Sequence, residues 1–187
     1  MAKVEVSASI LSADCARLGE EVKGLLAAGV DSIHFDVMDM HYVPNLTFGP
    51  VILKSLKPWV INAPIHVHLM VDKVLELLQP FAQAGADSLV FHLQSDVDPA
   101  ECIAEIHKLG CKAGVAISPD QPVDLILPWI DKLDRVLLMT VHPGFAGQSF
   151  VADGLLRINQ AAEILKNTEG VLEVDGGINL TNCSSIA

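Results

Sequence analysis

Two predicted strands carry histidine and carboxylate side chains on one of their faces. They lie within the segments 32–39 and 65–70. Side chains alternate along a strand, so His34 and Asp36 share a face, and His68 takes the same kind of position on the second strand. Imidazole and carboxylate groups together suit a divalent transition metal. We therefore expect these three residues to bind a metal; the alternative is a set of hydrogen-bonded core residues.

A further carboxylate, Asp175, ends a third predicted strand and precedes two glycines, Gly176 and Gly177. Glycine lets the backbone come close to a ligand. Asp175 is therefore a fourth candidate ligand, although an Asp-Gly turn after a strand is also common.

The segment from Met139 to Phe150 joins a predicted strand to a predicted helix. Its small residues Gly144, Ala146 and Gly147 leave the backbone amides free to surround an anion near a helix N-terminus. No Gly-Lys-Ser/Thr follows, so it is not a Walker loop. A flexible connection is the alternative reading.

The elements that would position these residues alternate between strand and helix, as in parallel βαβ units. We predict strands at 4–10, 32–37, 65–69, 88–91, 112–117, 135–139 and 172–174. We predict helices at about 15–28, 49–56, 74–84, 99–109, 123–129 and 151–166, and a further helix start at 179–181.

Polar residues cluster at the C-terminal ends of nearly every predicted strand, where a (β/α)8 TIM barrel has its active site. A doubly wound open sheet could also hold seven strands, but it would distribute these residues differently. We predict an α/β barrel as a single domain over residues 1–187, with the eighth strand and its helix missing from the sequence.

Composition limits the partners of the chain. It has 187 residues, 51% of them hydrophobic, and a formal net charge of −11. The acidic balance argues against nucleic acid, and no stretch approaches the ~20 apolar residues of a membrane span. We expect a cytoplasmic protein with no membrane partner. The four cysteines show no paired spacing and are predicted to be buried free thiols.

With these motifs in place, the chain resembles the ribulose-phosphate 3-epimerase family. The resemblance runs in order along almost the whole sequence. The matching segments are Ser7–Asp14, His34–Asp39, Val43–Gly49, His68–Val71, Pro143–Gln148 and Glu173–Ile178.

The resemblance implies inversion at C3 between D-ribulose 5-phosphate and D-xylulose 5-phosphate, in the pentose phosphate pathway. It implies one divalent ion (zinc, iron, manganese or cobalt) on His34, Asp36, His68 and Asp175, with the two aspartates also acting as acid and base. It further implies a homo-oligomer and a phosphorylated ketose as substrate. The substrate contacts that it implies are Ser9, Met38, His68, Met70, Met139, Gly144, Phe145, Ala146, Gly147, Gly176 and Gly177.

The sequence departs from the family pattern at some positions. Met40 stands where the family usually has glycine, and Ala146 stands where glycine is common. The methyl group of Ala146 fits only if that residue keeps a negative φ. A similar alanine occurs in the allulose 6-phosphate epimerase branch, so a hexulose phosphate is the alternative substrate. A non-catalytic sugar-phosphate binder is a second alternative. A decarboxylase-like barrel would need a lysine that residues 36–39 lack.

Overall fold

The computed structural model describes residues 4–187, which form seven parallel strands alternating with helices. The strands are β1 (Ser7–Ser9), β2 (Ser32–Met38), β3 (Ile65–Met70), β4 (Ser88–His92), β5 (Lys112–Ile117), β6 (Arg135–Met139) and β7 (Val171–Asp175). The α-helices are α1 (Leu18–Ala27), α2 (Pro50–Leu56), α3 (Val74–Ala84), α4 (Pro99–Lys108), α5 (Gly154–Leu165) and α6 (Cys183–Ile186). Three 3-10 helices lie at Cys15–Arg17, Lys57–Trp59 and Val123–Lys132.

The strands follow the chain in spatial order, β1 to β7, and every pairing is parallel. This order is the one that successive βαβ units give in an α/β barrel and differs from the strand order of a doubly wound sheet. The predicted fold class is therefore confirmed, with seven of the barrel's strands present among residues 4–187.

The two faces of the sheet have different chemistry. Residues such as Ile33, Phe35 and Val67 face outward into the large core that they share with the helices. The inner face holds a smaller apolar cluster, which consists of Val90, Ala116, Leu137, Met139 and Val141. The alternation predicted for β2 is thus confirmed, and it leaves His34 and Asp36 on the inner face.

Two predicted elements differ most from the structure, and the bounds of several others shift by a few residues. The first strand was expected over residues 4–10 but covers only Ser7–Ser9, the three residues that pair with β2, and Val4 and Val6 before it are exposed. The helix expected at 123–129 is a 3-10 helix over Val123–Lys132. Pro128 lies inside it, and proline removes a backbone donor that an α-helix would use.

The cysteine prediction is correct for two of the four residues. All four thiols are free, and Cys102 and Cys111 are buried. Cys15, in the 3-10 helix before α1, is exposed, and Cys183, the first residue of the short helix α6, is partly exposed. Among residues 4–187, no helix has the length and apolar character needed to cross a membrane.

Candidate metal and active site

The candidate site lies on the inner face of the sheet, where β2 and β3 bring three predicted ligands together. The register pairs Asp36 directly with His68. Asp36 Oδ1 lies 3.0 Å from His68 Nδ1 and 3.2 Å from His34 Nε2. The other carboxylate oxygen, Oδ2, accepts a 2.6 Å hydrogen bond from the hydroxyl of Ser9 on β1. Three adjacent strands therefore contribute to one polar centre.

The fourth predicted ligand, Asp175, reaches the same centre from β7. Its Oδ2 lies 3.9 Å from His34 Nε2. The end of β7 is fixed by Thr140, whose backbone N–H donates to the Asp175 carbonyl at 2.8 Å. One donor atom from each of His34, Asp36, His68 and Asp175 lies within 4.8 Å of the others. The structure thus brings together all four residues that the sequence predicted as ligands.

This donor set fits a divalent transition metal. Two imidazole nitrogens and two carboxylate oxygens are the ligand types such ions accept. His34, Asp36 and His68 are buried, and buried carboxylates of like charge need a compensating cation or strong hydrogen bonds. A cation at the centre of the four donor atoms would supply that compensation.

The protein environment shifts the pKa values of the two aspartates in opposite directions. Burial by itself would raise the pKa of Asp36, but the imidazoles of His34 and His68 hold that pKa well below its usual range. Burial and the charge of Asp36 raise the pKa of Asp175, against the opposing effect of His34. The two carboxyl groups therefore differ in pKa although they lie in one cluster.

The ring nitrogen of His34 that faces away from Asp36 has a partner that the sequence analysis missed. His34 Nδ1 lies 3.2 Å from Glu173 Oε1, and Glu173 Oε2 accepts from Arg135 at 2.9 Å. Burial opposes the ionisation of Glu173, but its bond to His34 and the Arg135 charge lower its pKa to about 2. Glu173 precedes Asp175 by two residues on β7, so strand alternation could have predicted that it faces inward.

The ring nitrogen of His68 that faces away from Asp36 also has a partner that the sequence analysis missed. His68 Nε2 lies 2.9 Å from Nε2 of His92, which ends β4. The sequence prediction ended this strand at residue 91 and so left His92 outside it. Its position two residues after the inward-facing Val90 was the available signal.

A cavity of about 270 Å³ opens beside the four candidate ligands. The predicted substrate contacts other than His68 all line it, together with Asp36 and Asp175. They are Ser9, Met38, Met70, Met139, Gly144, Phe145, Ala146, Gly147, Gly176 and Gly177. His68 is fully buried beneath this cavity, against Asp36.

The glycine-containing loop is held in shape by two amide side chains. Gln148 Nε2 donates to the carbonyls of His142 and Phe145, at 2.7 and 2.8 Å. Asn45, from the loop after β2, donates to the Gly144 carbonyl at 2.8 Å. These bonds occupy three carbonyl oxygens of the loop, and its backbone N–H groups are the kind of donor that binds an anion.

The glycine that packs beneath this loop is sterically required. Gly177 has a φ of +70°, and a Cβ there would lie 2.4 Å from the backbone nitrogen of Phe150. Ala146 does not have a positive φ, so its backbone accommodates a methyl group, as the sequence analysis required. Met40 does have positive φ, at 67°, where the family pattern has glycine.

Comparison with known proteins agrees with the geometry. A family model described as the ribulose-phosphate 3 epimerase family matches residues 5–187. The ribulose-phosphate 3-epimerase of Buchnera aphidicola (subsp. Acyrthosiphon pisum) is 46% identical over 189 residues, covering 100% of this chain and 83% of the relative. The enzyme of the same name from Serratia marcescens is 45% identical, over 100% of this chain and 90% of the relative. That from Escherichia coli K12 is 46% identical, over 97% and 82%.

Solved structures of low sequence identity share the fold. A mutant tryptophan synthase α-subunit from Pyrococcus furiosus superposes with a TM-score of 0.67 at 13% identity, covering 97% of this chain and 82% of that one. A protein described as QR15, an aldolase, gives a TM-score of 0.64 at 12% identity, over 98% and 84%. These similarities support the barrel architecture.

Proposed function

The chain belongs to the ribulose-phosphate 3-epimerase family, and from that premise we propose that it interconverts D-ribulose 5-phosphate and D-xylulose 5-phosphate. Its relatives are epimerases, so the chain is an enzyme of the isomerase class. The clustering of donor atoms from His34, Asp36, His68 and Asp175, with Asp36 and Asp175 lining the cavity, is the observation that carries the proposal.

We assign one divalent ion of zinc, iron, manganese or cobalt to these four residues. When bound, such an ion supplies Lewis acidity toward substrate oxygens that gain negative charge. His34 and His68 would each offer one ring nitrogen, and Asp36 and Asp175 one carboxylate oxygen each. The outer partners Glu173 and His92 would keep the two imidazoles oriented toward the ion.

The two aspartates would perform the proton transfers. The C3 hydrogen of the ketose lies next to the C2 carbonyl, so its removal gives a planar enediolate. Asp36 enters from β2 and Asp175 from β7, and both line the cavity. One carboxylate removes the proton from one face and the other delivers a proton to the opposite face, which inverts C3.

The remaining lining would bind the rest of the substrate. Backbone amides of the Gly144–Gly147 loop and of Gly176 and Gly177 would hold the phosphate, whatever the net charge of the chain. The apolar side chains of Met38, Met70 and Met139 would exclude water beside the reacting carbons. Ser9 would hold Asp36 through its 2.6 Å hydrogen bond.

An assay of the metal-stripped and reloaded protein tests this function. We expect reloading with zinc, iron, manganese or cobalt to restore conversion of ribulose 5-phosphate, at a higher kcat/KM than conversion of allulose 6-phosphate. Equal or faster turnover of the hexulose would assign the chain to that substrate instead. Binding without turnover on either would favour the non-catalytic alternative. The homo-oligomeric state and the cytoplasmic location stay predictions.

A matched pair of histidine variants tests the metal requirement. We expect His68→Asn to lose more activity than the ~10–100-fold typical of outer partners of metal ligands. His107→Asn changes a partly exposed histidine that pairs with Asp134 on the surface, and it should retain the activity. Full activity in His68→Asn would contradict the assignment.

A further inference from the structure

Thr140 is a fully buried residue directly after β6, and its hydroxyl group contacts the turn that follows β7. The hydroxyl oxygen lies 2.6 Å from the carbonyl oxygen of Gly176 and 3.0 Å from that of Asp175. A carbonyl oxygen only accepts, so the hydroxyl is the donor, and its shorter bond is the one to Gly176. Thr140 therefore holds the peptide group that joins Gly176 to Gly177.

This peptide group needs an external restraint, because it lies between two glycines. Gly176 has a φ of +109° and Gly177 a φ of +70°. Glycine adopts positive and negative φ about equally well, so two glycines in succession leave the direction of the peptide between them poorly determined. The 2.6 Å bond from the Thr140 hydroxyl fixes the side toward which its carbonyl points.

The carbonyl of Gly176 is held on the side away from the cavity. Met139 and Val141, the neighbours of Thr140 in the chain, both line the cavity beside the candidate ligands, whereas Thr140 does not. Side chains alternate between the two faces of an extended segment, so the Thr140 hydroxyl lies on the opposite face. The Gly176 carbonyl is bonded to that face.

The N–H group of the same peptide therefore points the other way. The peptide bonds within residues 4–187 are all trans, and a trans peptide directs its carbonyl and its N–H to opposite sides. The Gly177 N–H thus points away from Thr140 and toward the cavity that Gly177 lines. It donates to no atom of residues 4–187. A backbone N–H in this position is available to an anion.

We propose that Thr140 is a positioning residue for the phosphate group, because its hydroxyl holds the Gly176 carbonyl and so directs the Gly177 N–H at the anion. The proposal rests on the function proposed above, which assigns the phosphate to backbone amides. Thr140 itself does not touch the substrate. Its backbone N–H holds the Asp175 carbonyl separately, at 2.8 Å, so loss of the hydroxyl should impair phosphate binding more than proton transfer.

Three variants separate the hydroxyl from the shape of the side chain. Thr140→Val keeps the volume and the backbone N–H but removes the hydroxyl, and we expect KM for ribulose 5-phosphate to rise about 10–100-fold with a smaller change in kcat. Thr140→Ser restores the hydroxyl and should recover most of the affinity. Thr168→Val is the matched control, since it removes another threonine hydroxyl that donates to a carbonyl, that of Leu165 at 2.9 Å. It should leave KM unchanged.

A titration of the zinc-loaded wild-type protein with inorganic phosphate tests the direction of the N–H without any variant. We expect the amide proton resonance of Gly177 to move downfield and to saturate, because this N–H gains a charged acceptor. A Gly177 resonance that does not respond, or a wild type that does not bind phosphate, would overturn the proposal.

The kinetic outcomes distinguish this proposal from the function on which it rests. A KM for Thr140→Val equal to that of wild type, or a Thr140→Ser no better than Thr140→Val, would overturn the role of Thr140. Failure of wild type to convert either sugar phosphate would instead overturn the proposed function. The phosphate titration would still decide where the Gly177 N–H points.

Discussion

At the scale of single residues, the site is built around two histidines that are held from both sides. His34 lies between Asp36 and Glu173, and His68 lies between Asp36 and His92. Such outer partners fix the orientation of a ligating ring and raise its basicity. Loss of a side chain that never touches the substrate should therefore weaken metal binding.

Glu173 gives the first test of this view. We expect Glu173→Gln to weaken divalent-ion binding by about 10–100-fold, because the neutral amide is a poorer partner for His34 Nδ1–H. Competition with a chelator measures the affinity. Glu163→Gln, an exposed position on α5, is the matched control and should bind as wild type does. Equal affinities for the two variants would contradict the role of Glu173.

At the scale of elements, the loops after β6 and β7 depend on close backbone contact. We expect Gly177→Ala to lower kcat/KM by about 100-fold, since its Cβ would meet Phe150 and displace the loop by about an ångström. Gly24→Ala is the control. It lies inside α1, where a Cβ meets nothing within 4 Å, and should raise the free energy of unfolding by about 0.5–1 kcal/mol without changing the kinetics. Steady-state kinetics on both variants would decide, and unaltered kinetics in Gly177→Ala would refute the argument.

The loop after β2 contains a residue whose backbone strain a substitution can remove. Met40 has a φ of 67° and is 61% exposed, so its side chain contributes little packing. We expect Met40→Gly to raise the free energy of unfolding by about 1 kcal/mol, because a left-handed conformation is costly for methionine and not for glycine. Denaturant unfolding measures the change. Asn62→Gly, at a φ of 61°, should change stability less, because asparagine tolerates this conformation. A larger gain at Asn62 would contradict this account.

The sequence predicted most of the elements, and strand alternation predicted His34, Asp36 and His68 as candidate ligands, because it acts over a few residues. Asp175 was predicted from its place between a strand end and two glycines and from the resemblance to the family. Strand alternation placed His34 and Asp36 on the inner face correctly. It missed Glu173 and His92, since their importance depends on which strands become neighbours of His34 and His68 across the sheet. The 3-10 helix with Pro128 was also missed, because apolar spacing alone does not separate it from an α-helix.

At the scale of the whole molecule, the seven described strands form one sheet, and the candidate ligands lie on three of them. Within residues 4–187, β2 to β6 each pair on both sides, whereas β1 and β7 pair on one side only. β1 is three residues long. The site is divided between these regions, since His34, Asp36 and His68 lie on central strands and Asp175 lies on an edge.

The central claim is that Asp36 and Asp175 transfer protons at opposite faces of C3. Deuterium incorporation at C3 of ribulose 5-phosphate in D₂O tests it in wild type, Asp36→Asn and Asp175→Asn, with the exposed Asp131→Asn as control. We predict that wild type and the control incorporate deuterium with inversion. Each active-site substitution should abolish epimerisation, and the variant that keeps the proton-removing carboxylate should still exchange one epimer. Full epimerase activity in Asp36→Asn or Asp175→Asn would contradict the account.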